Sequence, residues 1–411
     1  MECKNKRGNQ AFIKLEPKSW NSHIASSVSS QYSFSAIMKM PQSVEIAIVH
    51  DWLTGMRGGE KVLEVLCELF PEATIYTLIH NEGSVSSVIE RHPIRTSFLQ
   101  KFPLKRNKYR SFLPLFPKAI ESFDFSDYRL IISVSAAVAK GAIPADGAMH
   151  ICYCNTPMRY VWDQYEEYFG KGRAGLLTRT AMKWLAPRLR SWDVKTSDRV
   201  HAFLANSENV ARRIRSAYNR SSDVVYPSVD TDRFQISPEN DGSYLVVSAL
   251  VPYKRIDLAI DACENLGRPL NVVGTGPEME KLQARAGKHT RFLGWRSDEE
   301  LAGLYARCRA LLFPGVEDFG IVPLEAMSCG KYVVAYGQGG ALETVKEPLS
   351  GVFFHEQTVE SLTDAIRKAE QMSFDPQAIR RQAVRFDRSE FSRHLLSAIQ
   401  AKVSAFPTLP R

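Results

Sequence analysis

Residues 310–335, ALLFPGVEDFGIVPLEAMSCGKYVVA, decide the fold class of this chain. The first apolar run ends at Pro314, and a short loop follows it. A helix is then predicted to begin near Pro323, with Glu325 on its first turn, before a second apolar run covers 332–335. Strands that alternate with helices at this spacing are typical of βαβ units, which build parallel sheets.

The same alternation continues on both sides of this stretch. Its predicted strands are 244–250, 270–273, 291–293, 310–313 and 332–335, and its predicted helices are 256–266, 277–286, 298–306 and 323–328. An earlier series of predicted strands comprises 44–49, 74–79, 129–134, 150–154 and 200–205. Ser207 is the predicted N-cap of the helix that follows this series and ends at Tyr218. Two such series predict an α/β protein with two doubly wound, Rossmann-like domains that face each other across a cleft.

The length of 411 residues also favours two domains, because single cores stop growing beyond about 250–300 residues. We expect a first domain over 43–232 and a second over 242–387, joined by a polar linker. Residues 1–42 are polar and serine-rich, which predicts a mobile extension. Residues 388–411 are expected to form a helix that packs back toward the first domain.

The net charge of +8 favours an anionic partner, such as a nucleotide or a membrane surface. Segment 101–118 holds six basic residues and no acidic one, interleaved with aromatic and leucine side chains. Either it binds an anionic membrane or it is a solvated loop over a buried helix. No motif for nucleic-acid binding is present. Because neither an export signal nor a sufficiently long apolar run is evident, we expect a cytoplasmic protein, peripheral at the inner face of the membrane.

Parallel sheets bind ligands beyond the carboxyl ends of their strands. The corresponding loops are 51–59, 249–255, 274–277 and 314–322. In the last loop and its helix, the carboxylates of Glu317 and Glu325 can accept hydrogen bonds from sugar hydroxyls, and Gly320 lets the backbone approach a ligand closely. The alternative is a solvated loop in which Glu325 only stabilises the helix dipole.

The spacing E-x-F-G-x-x-x-x-E-A-M-x-C-G in this segment resembles the signature of the retaining glycosyltransferase family 4, whose members have the GT-B fold. The resemblance extends over residues 44–400. It implies that Glu317 is a catalytic residue that contacts the donor hexose and that Glu325 holds the ribose of the nucleotide. Phe319 and Gly320 are then expected to line the donor site.

Lys254 and Arg255 follow the first strand of the second series, at the end that faces the predicted cleft. A lysine supplies a point charge for a diphosphate, and an arginine can add a forked contact, so both are predicted to be catalytic. Lys254 matches the lysine of the family. Ala249 stands where the family often has an arginine, which leaves open whether Arg255 or Arg159 replaces that charge. The alternative is that Lys254 and Arg255 are ordinary surface residues at a helix start.

Two glycine-bearing loops are predicted to approach the donor. Gly274 and Gly276 lie between a strand and a helix, but the third glycine of a dinucleotide-binding pattern is missing, so a plain turn is the alternative. Gly58 and Gly59 precede a helix of the first domain, as in loops whose backbone approaches phosphate. The resemblance places both loops beside the nucleotide sugar.

Acceptor or cleft candidates lie in two segments of the first domain. His50 and Asp51 end its first strand, where His50 can instead be a satisfied structural histidine. Residues 153–163, YCNTPMRYVWD, resemble an H-T-P-M-R-Y-x-W-D segment of a bacterial surface-polysaccharide branch of the family. Asn155 stands at the histidine position and cannot hold a proton as imidazole does, which questions an acid–base role there. The other candidates in this segment are Arg159 and Asp163.

The reaction implied by the resemblance is retaining transfer of a hexose to a glycolipid or polysaccharide acceptor, without a metal or other cofactor. The branch favours mannose from GDP-mannose, and a UDP-sugar is the alternative donor. Asp230-Thr-Asp232 imitates a metal-binding D-x-D motif but lies at the predicted linker, so no metal site is predicted there. Two other classes stay open. One is a catalytically silent scaffold that binds glycan, and the other is a nicotinamide-dependent oxidoreductase, which would require the missing glycine pattern.

Overall fold

The computed structural model describes residues 45–102, 109–162, 165, 169–170 and 175–407, without the side chains of 109–111. The predicted extension 1–42 therefore lies outside the described residues. The same holds for Asp163 and for residues 103–108 of segment 101–118. Both sheets described below belong to one compact unit.

The first domain is built on seven parallel strands in the order β3-β2-β1-β4-β5-β6-β7. They are β1 (Ile46–His50), β2 (Thr74–Thr77), β3 (Ile94–Thr96), β4 (Leu130–Ser135), β5 (Met149–Cys154), β6 (Ala202–Ala205) and β7 (Ser222–Val224). β4 and β5 are buried along their whole length, as is typical of central strands covered on both faces. Because the strand order reverses between β1 and β4, a crevice opens beyond the carboxyl ends of these strands.

Helices cover this sheet. They are α1 (Gly58–Leu69), α2 (Ser87–Glu90), α3 (Phe116–Glu121), α4 (Leu176–Thr196) and α5 (Glu208–Tyr218). The predicted cap of α5 is confirmed, because the Ser207 hydroxyl accepts a hydrogen bond from the backbone N–H of Val210 at 3.0 Å. This bond satisfies one of the free N–H groups at the helix start.

The second domain repeats the plan with six parallel strands in the order β10-β9-β8-β11-β12-β13. They are β8 (Tyr244–Val247), β9 (Leu270–Val273), β10 (Thr290–Gly294), β11 (Ala310–Phe313), β12 (Tyr332–Tyr336) and β13 (Gly351–Phe354). Its helices are α6 (Ile256–Leu266), α7 (Met279–Arg285), α8 (Asp298–Arg307), α9 (Ile321–Ser328), α10 (Ala341–Thr344), α11 (Val359–Glu370) and α12 (Pro376–Val384). The prediction of two doubly wound α/β domains is therefore confirmed.

Helix α9 begins two residues earlier than the sequence pattern suggested. Gly320 adopts a φ of 86°, which glycine tolerates without strain, and serves as the N-cap. Pro323 occupies the third helical position, where its missing N–H costs no intrahelical hydrogen bond. The prediction that Glu325 lies on the first turn was wrong, since it is the fifth residue of the helix.

The chain crosses between the domains twice, and the two crossing segments touch. The backbone N–H of Val229 donates to the carbonyl of Phe386 at 2.9 Å. The hydroxyl of Thr231 donates to the carboxylate of Asp387 at 2.6 Å. After the second crossing, helix α13 (Arg388–Ser404) lies against the first domain, with the ring of Phe391 at 6.0 Å from that of Tyr153.

Candidate active site

A cavity of about 340 Å³ opens between the two domains, beyond the carboxyl ends of both sheets. The predicted site residues that line it are His50, Asp51, Gly58, Gly59, Asn155 and Arg159 from the first domain and Glu317, Phe319 and Gly320 from the second. The structure thus brings together residues that are far apart in the sequence. The first turns of α1 and α9 face each other here, since a Cβ at Gly58 would lie 3.5 Å from the Ile321 side chain.

Glu317 forms an ion pair with Lys254 at the second-domain wall of the cavity. Lys254 ends a short 3₁₀ turn, Pro252–Lys254, and its side chain is 12% exposed. Burial lowers the pKa of Lys254 to about 7; repulsion from Arg159 adds to this effect, and Asp318 opposes it. The Glu317 carboxylate at the cavity therefore has the ammonium group of Lys254 beside it.

Arg255 does not line the cavity. Its guanidinium donates to both carboxylate oxygens of Asp257, at 3.1 and 3.2 Å. Its φ of 50° makes it the left-handed residue between the 3₁₀ turn and α6. Arg255 occupies the N-cap position of its own helix without a side-chain capping bond. Lys254 does not line the cavity either, but it is paired with Glu317, which does.

Gly274 and Gly276 serve close packing between loops. A Cβ at Gly274, whose φ is 129°, would overlap the carbonyl oxygen of Ser248. A Cβ at Gly276 would overlap that of Leu250. Neither glycine lines the cavity, so the plain-turn alternative explains both without a ligand.

Glu325 lies behind the cavity wall. It is 9% exposed, and it accepts a hydrogen bond from the hydroxyl of Tyr305 at 2.8 Å. Its other oxygen lies 3.6 Å from the ammonium of Lys61 on α1. Burial, together with the Glu325 carboxylate, raises the pKa of Tyr305, so the tyrosine remains a donor to this glutamate.

Asp318 joins the two domains through several polar contacts. Its carboxylate is 9% exposed and is held by the guanidinium groups of Arg159 and Arg213, both from the first domain. Ser207 donates to its carbonyl at 2.7 Å. Burial alone would raise the pKa of Asp318, but the two guanidiniums hold it below the usual value. Sequence patterns did not indicate Asp318 or Arg213, because two residues separated by more than a hundred positions leave no local pattern.

Asp51 is structural, although it lines the cavity. Its two oxygens accept hydrogen bonds from the backbone N–H groups of four consecutive residues, at 2.7, 2.9, 2.7 and 2.7 Å. These donors are Ala136, Ala137, Val138 and Ala139. A carboxylate with both oxygens occupied in this way shapes the loop after β4.

His50 and Asn155 form a small polar group in the wall of the cavity. The Nε2 atom of His50 lies 3.5 Å from the Glu60 carboxylate, while its buried Nδ1 atom has no hydrogen-bond partner among the described residues. A Cβ at Gly59 would lie 3.2 Å from the amide nitrogen of Asn155 and 3.4 Å from the His50 ring. Glycine at position 59 therefore lets these side chains meet the start of α1.

The basic segment is only partly available to a membrane. Phe116 is buried and packs on Trp52, with ring centroids 5.9 Å apart, so it cannot anchor in lipid. Phe102 and Leu115 are each 38% exposed. No helix within 45–407 that the structure describes is long and apolar enough to cross a bilayer.

Residues 228–386 match the family described as "Glycosyl transferases group 1". A GDP-mannose-dependent alpha-(1-6)-phosphatidylinositol monomannoside mannosyltransferase of Mycolicibacterium smegmatis is 34% identical over 186 residues, which are 38% of this chain and 49% of that protein. A glycogen synthase of Pseudomonas syringae pv. tomato is 27% identical over 240 residues, 55% of this chain and 47% of that one. The chain thus spans about half the length of the curated relatives it matches.

Solved structures share the whole architecture. The Anabaena protein HepE in complex with UDP and glucose has a TM-score of 0.64 at 18% identity, over 87% of this chain and 100% of that one. Sucrose-phosphate synthase from Thermosynechococcus elongatus has a TM-score of 0.66 at 16% identity, over 88% and 100%. These likenesses confirm the GT-B fold that the resemblance implied.

Proposed function

We propose that this protein is a retaining hexosyltransferase of glycosyltransferase family 4 that uses a nucleotide-sugar donor. The observation that carries the proposal is the Glu317–Lys254 pair at the cavity between two Rossmann-like domains. A carboxylate can orient a hexose through its hydroxyls, and an ammonium group beside it can stabilise the negative charge of a departing diphosphate. The facing first turns of α1 and α9 add backbone N–H groups that favour anions.

In the proposed reaction, the bond between the anomeric carbon and the diphosphate oxygen breaks, and its electron pair leaves with the diphosphate. The acceptor hydroxyl attacks the anomeric carbon from the same side, and its proton passes to an oxygen of the leaving diphosphate. No protein nucleophile is needed. Contacts between the domains, such as that of Asp318 with Arg213, would keep water from the donor. The proposal includes no metal or other cofactor, so transfer should persist in EDTA.

GDP-mannose is the donor that we propose first. Two findings support it, namely the resemblance of residues 153–163 to a surface-polysaccharide branch and the similarity to a GDP-mannose-dependent enzyme. A UDP-sugar is the second candidate, because HepE, which shares the fold, binds UDP. We propose that Asn155, which lines the cavity, contacts an acceptor hydroxyl.

The acceptor we propose is lipid-linked or a lipopolysaccharide or exopolysaccharide chain, reached at the cytoplasmic face of an anionic membrane. The first half of α4 supports this, because Leu176, Leu177 and Trp184 are 74%, 88% and 71% exposed. Arg179 and Lys183 lie between them, and basic residues beside apolar anchors suit a membrane interface. Trp184→Ser should weaken sedimentation with phosphatidylglycerol vesicles. Trp295→Ser, which removes a Trp that is 73% exposed in the second domain, is the matched control, and equal behaviour of the two variants would contradict the surface.

The function is tested by measuring donor binding and transfer with a panel of nucleotide sugars and lipid-linked acceptors. We expect Glu317→Gln to reduce transfer at least about 100-fold while the protein remains folded. Glu299→Gln, an exposed glutamate of α8, is the control. Unchanged turnover of Glu317→Gln would refute the site, and donor binding without turnover by the wild type would instead support a silent scaffold.

A further inference from the structure

We propose that Arg159 is a second cation for the donor diphosphate, contributed by the first domain, and that Asp318 holds it in position until the donor binds. This inference rests on the proposed function. It identifies the residue that supplies the charge left open by Ala249, and it assigns that charge to the domain opposite Lys254.

The second domain supplies Lys254 but no evident companion from its own loop. Ala249 carries no charge, and Arg255, whose guanidinium donates to both oxygens of Asp257, does not line the cavity. A nucleoside diphosphate carries several negative charges, and a single lysine that is paired with Glu317 neutralises few of them. We therefore expect another cation at the cavity to balance the charge of the diphosphate.

Arg159 has the position that this role requires. It lines the cavity, and its partner Asp318 is the chain neighbour of Glu317, which binds Lys254. The guanidinium of Arg159 also lowers the pKa of Lys254, so the two cations are within electrostatic reach of each other. A planar guanidinium matches two phosphate oxygens at once, which an ammonium group does not.

The Asp318 carboxylate has two arginine partners, so it can release one of them and keep the other. Its carboxylate is shared by Arg159 and Arg213, and Arg213 also donates to the hydroxyl of Thr156 at 2.7 Å. Leaving a buried carboxylate without a partner is costly, but Arg213 would remain with Asp318 if Arg159 turned toward the diphosphate. The exchange replaces one anionic partner of Arg159 with another, and no proton moves, because arginine stays charged.

The exchange would also connect the donor to the acceptor side. Arg159 follows β5 in the loop that carries Asn155, and both line the cavity. If Arg159 turned toward the diphosphate, the loop that carries it would shift as well. This is the loop that we propose contacts the acceptor. Arg159 is thus inferred to contribute to the rate of transfer as well as to donor binding.

The experiment measures the affinity of the full-length protein for GDP, UDP, GMP and UMP by calorimetry. Arg159→Ala should weaken binding of the preferred diphosphate on the order of 10- to 100-fold, and binding of the monophosphate much less. Arg159→Lys should restore part of this loss. Asp318→Asn should keep or increase diphosphate affinity, because it frees Arg159. Arg212→Ala, an exposed neighbour of Arg213 on α5, is the control.

The outcomes separate this inference from the proposed function. If the wild type binds a diphosphate and Arg159→Ala binds it equally well, Arg159 is not a donor residue, while the function stands. If Asp318→Asn loses as much affinity as Arg159→Ala, the pair serves domain closure and the exchange is refuted. If the wild type binds no nucleotide, both proposals fall. Thermal melting checks that each variant is folded.

Discussion

Asp51 and Asp318 are buried carboxylates that line the same cavity, yet they are held by different kinds of partner. Asp51 accepts four hydrogen bonds from the backbone of its own domain. Asp318 is held by the long side chains of Arg159 and Arg213, which belong to the other domain. Backbone amides in a folded loop stay in place, whereas guanidinium groups can exchange partners. The first carboxylate therefore fixes a loop, and the second joins two domains through contacts that can be broken.

The largest loss of stability is expected from Asp51→Ala, which tests the carboxylate that is held by backbone amides. Four buried N–H groups would lose their acceptor, so the free energy of unfolding should fall on the order of 4 kcal/mol. Urea unfolding measures this loss. Asp127→Ala, at an exposed aspartate of the same domain, should change stability by less than about 0.5 kcal/mol. If the two variants were equally stable, Asp51 would not be the residue that holds the loop.

Asp318→Ala should destabilise less, by about 2–3 kcal/mol. The two guanidiniums that it leaves are 19% and 18% exposed and can recover water. A double-mutant cycle of Asp318→Ala with Arg213→Ala measures the coupling of that pair. A coupling energy near zero would mean that the arginines do not hold the carboxylate in solution.

The pKa of Lys254, lowered by burial to about 7, makes donor binding depend on pH. A diphosphate binds the protonated ammonium, so affinity should be full below pH 7 and decline as the pH rises above it. Between pH 6.5 and 8.5 we expect GDP binding to weaken by about tenfold. Lys254→Arg, which stays charged, should give a flat profile. A flat wild-type profile would show that Glu317 keeps Lys254 protonated throughout.

The smallest expected effect concerns Ser207, which caps α5 and also donates to the carbonyl of Asp318. Ser207→Ala should cost about 1–2 kcal/mol of unfolding free energy. Ser297 caps α8 in the same way through the N–H of Glu300, and its hydroxyl makes no interdomain hydrogen bond to the described residues, so Ser297→Ala is the reference. Equal losses in thermal unfolding would mean that the bond from Ser207 to Asp318 adds nothing.

The repeating strand and helix pattern was enough to predict both sheets, because buried parallel strands are continuous apolar runs. β3, β7 and β13 were not predicted. All three lie at sheet edges, and β3 and β7 have only three residues each. The start of α9 was misplaced because Pro323 resembles a helix start, while the positive φ of Gly320 depends on the loop around it.

The candidate site shows the same limit of local pattern. Strand ends, glycine loops and the family resemblance indicated nine of the twenty residues that line the cavity, including Glu317 and His50. They did not indicate which carboxylate contacts which partner. Asp51 was a candidate for ligand contact and holds a loop, while Asp318 was passed over and joins the domains. Those roles depend on contacts between distant segments, and single residue types do not encode them.

The paired crossing segments, with Val229 bonded to Phe386 and Thr231 to Asp387, also constrain how the two domains can move. The two adjacent segments would act as a hinge, so the two domains could rotate relative to each other but could not slide apart. In such a rotation, atoms move farther the more distant they are from the hinge. A cross-link between the two segments would consequently leave both domains folded and, if the proposed transfer requires their rotation, slow that transfer.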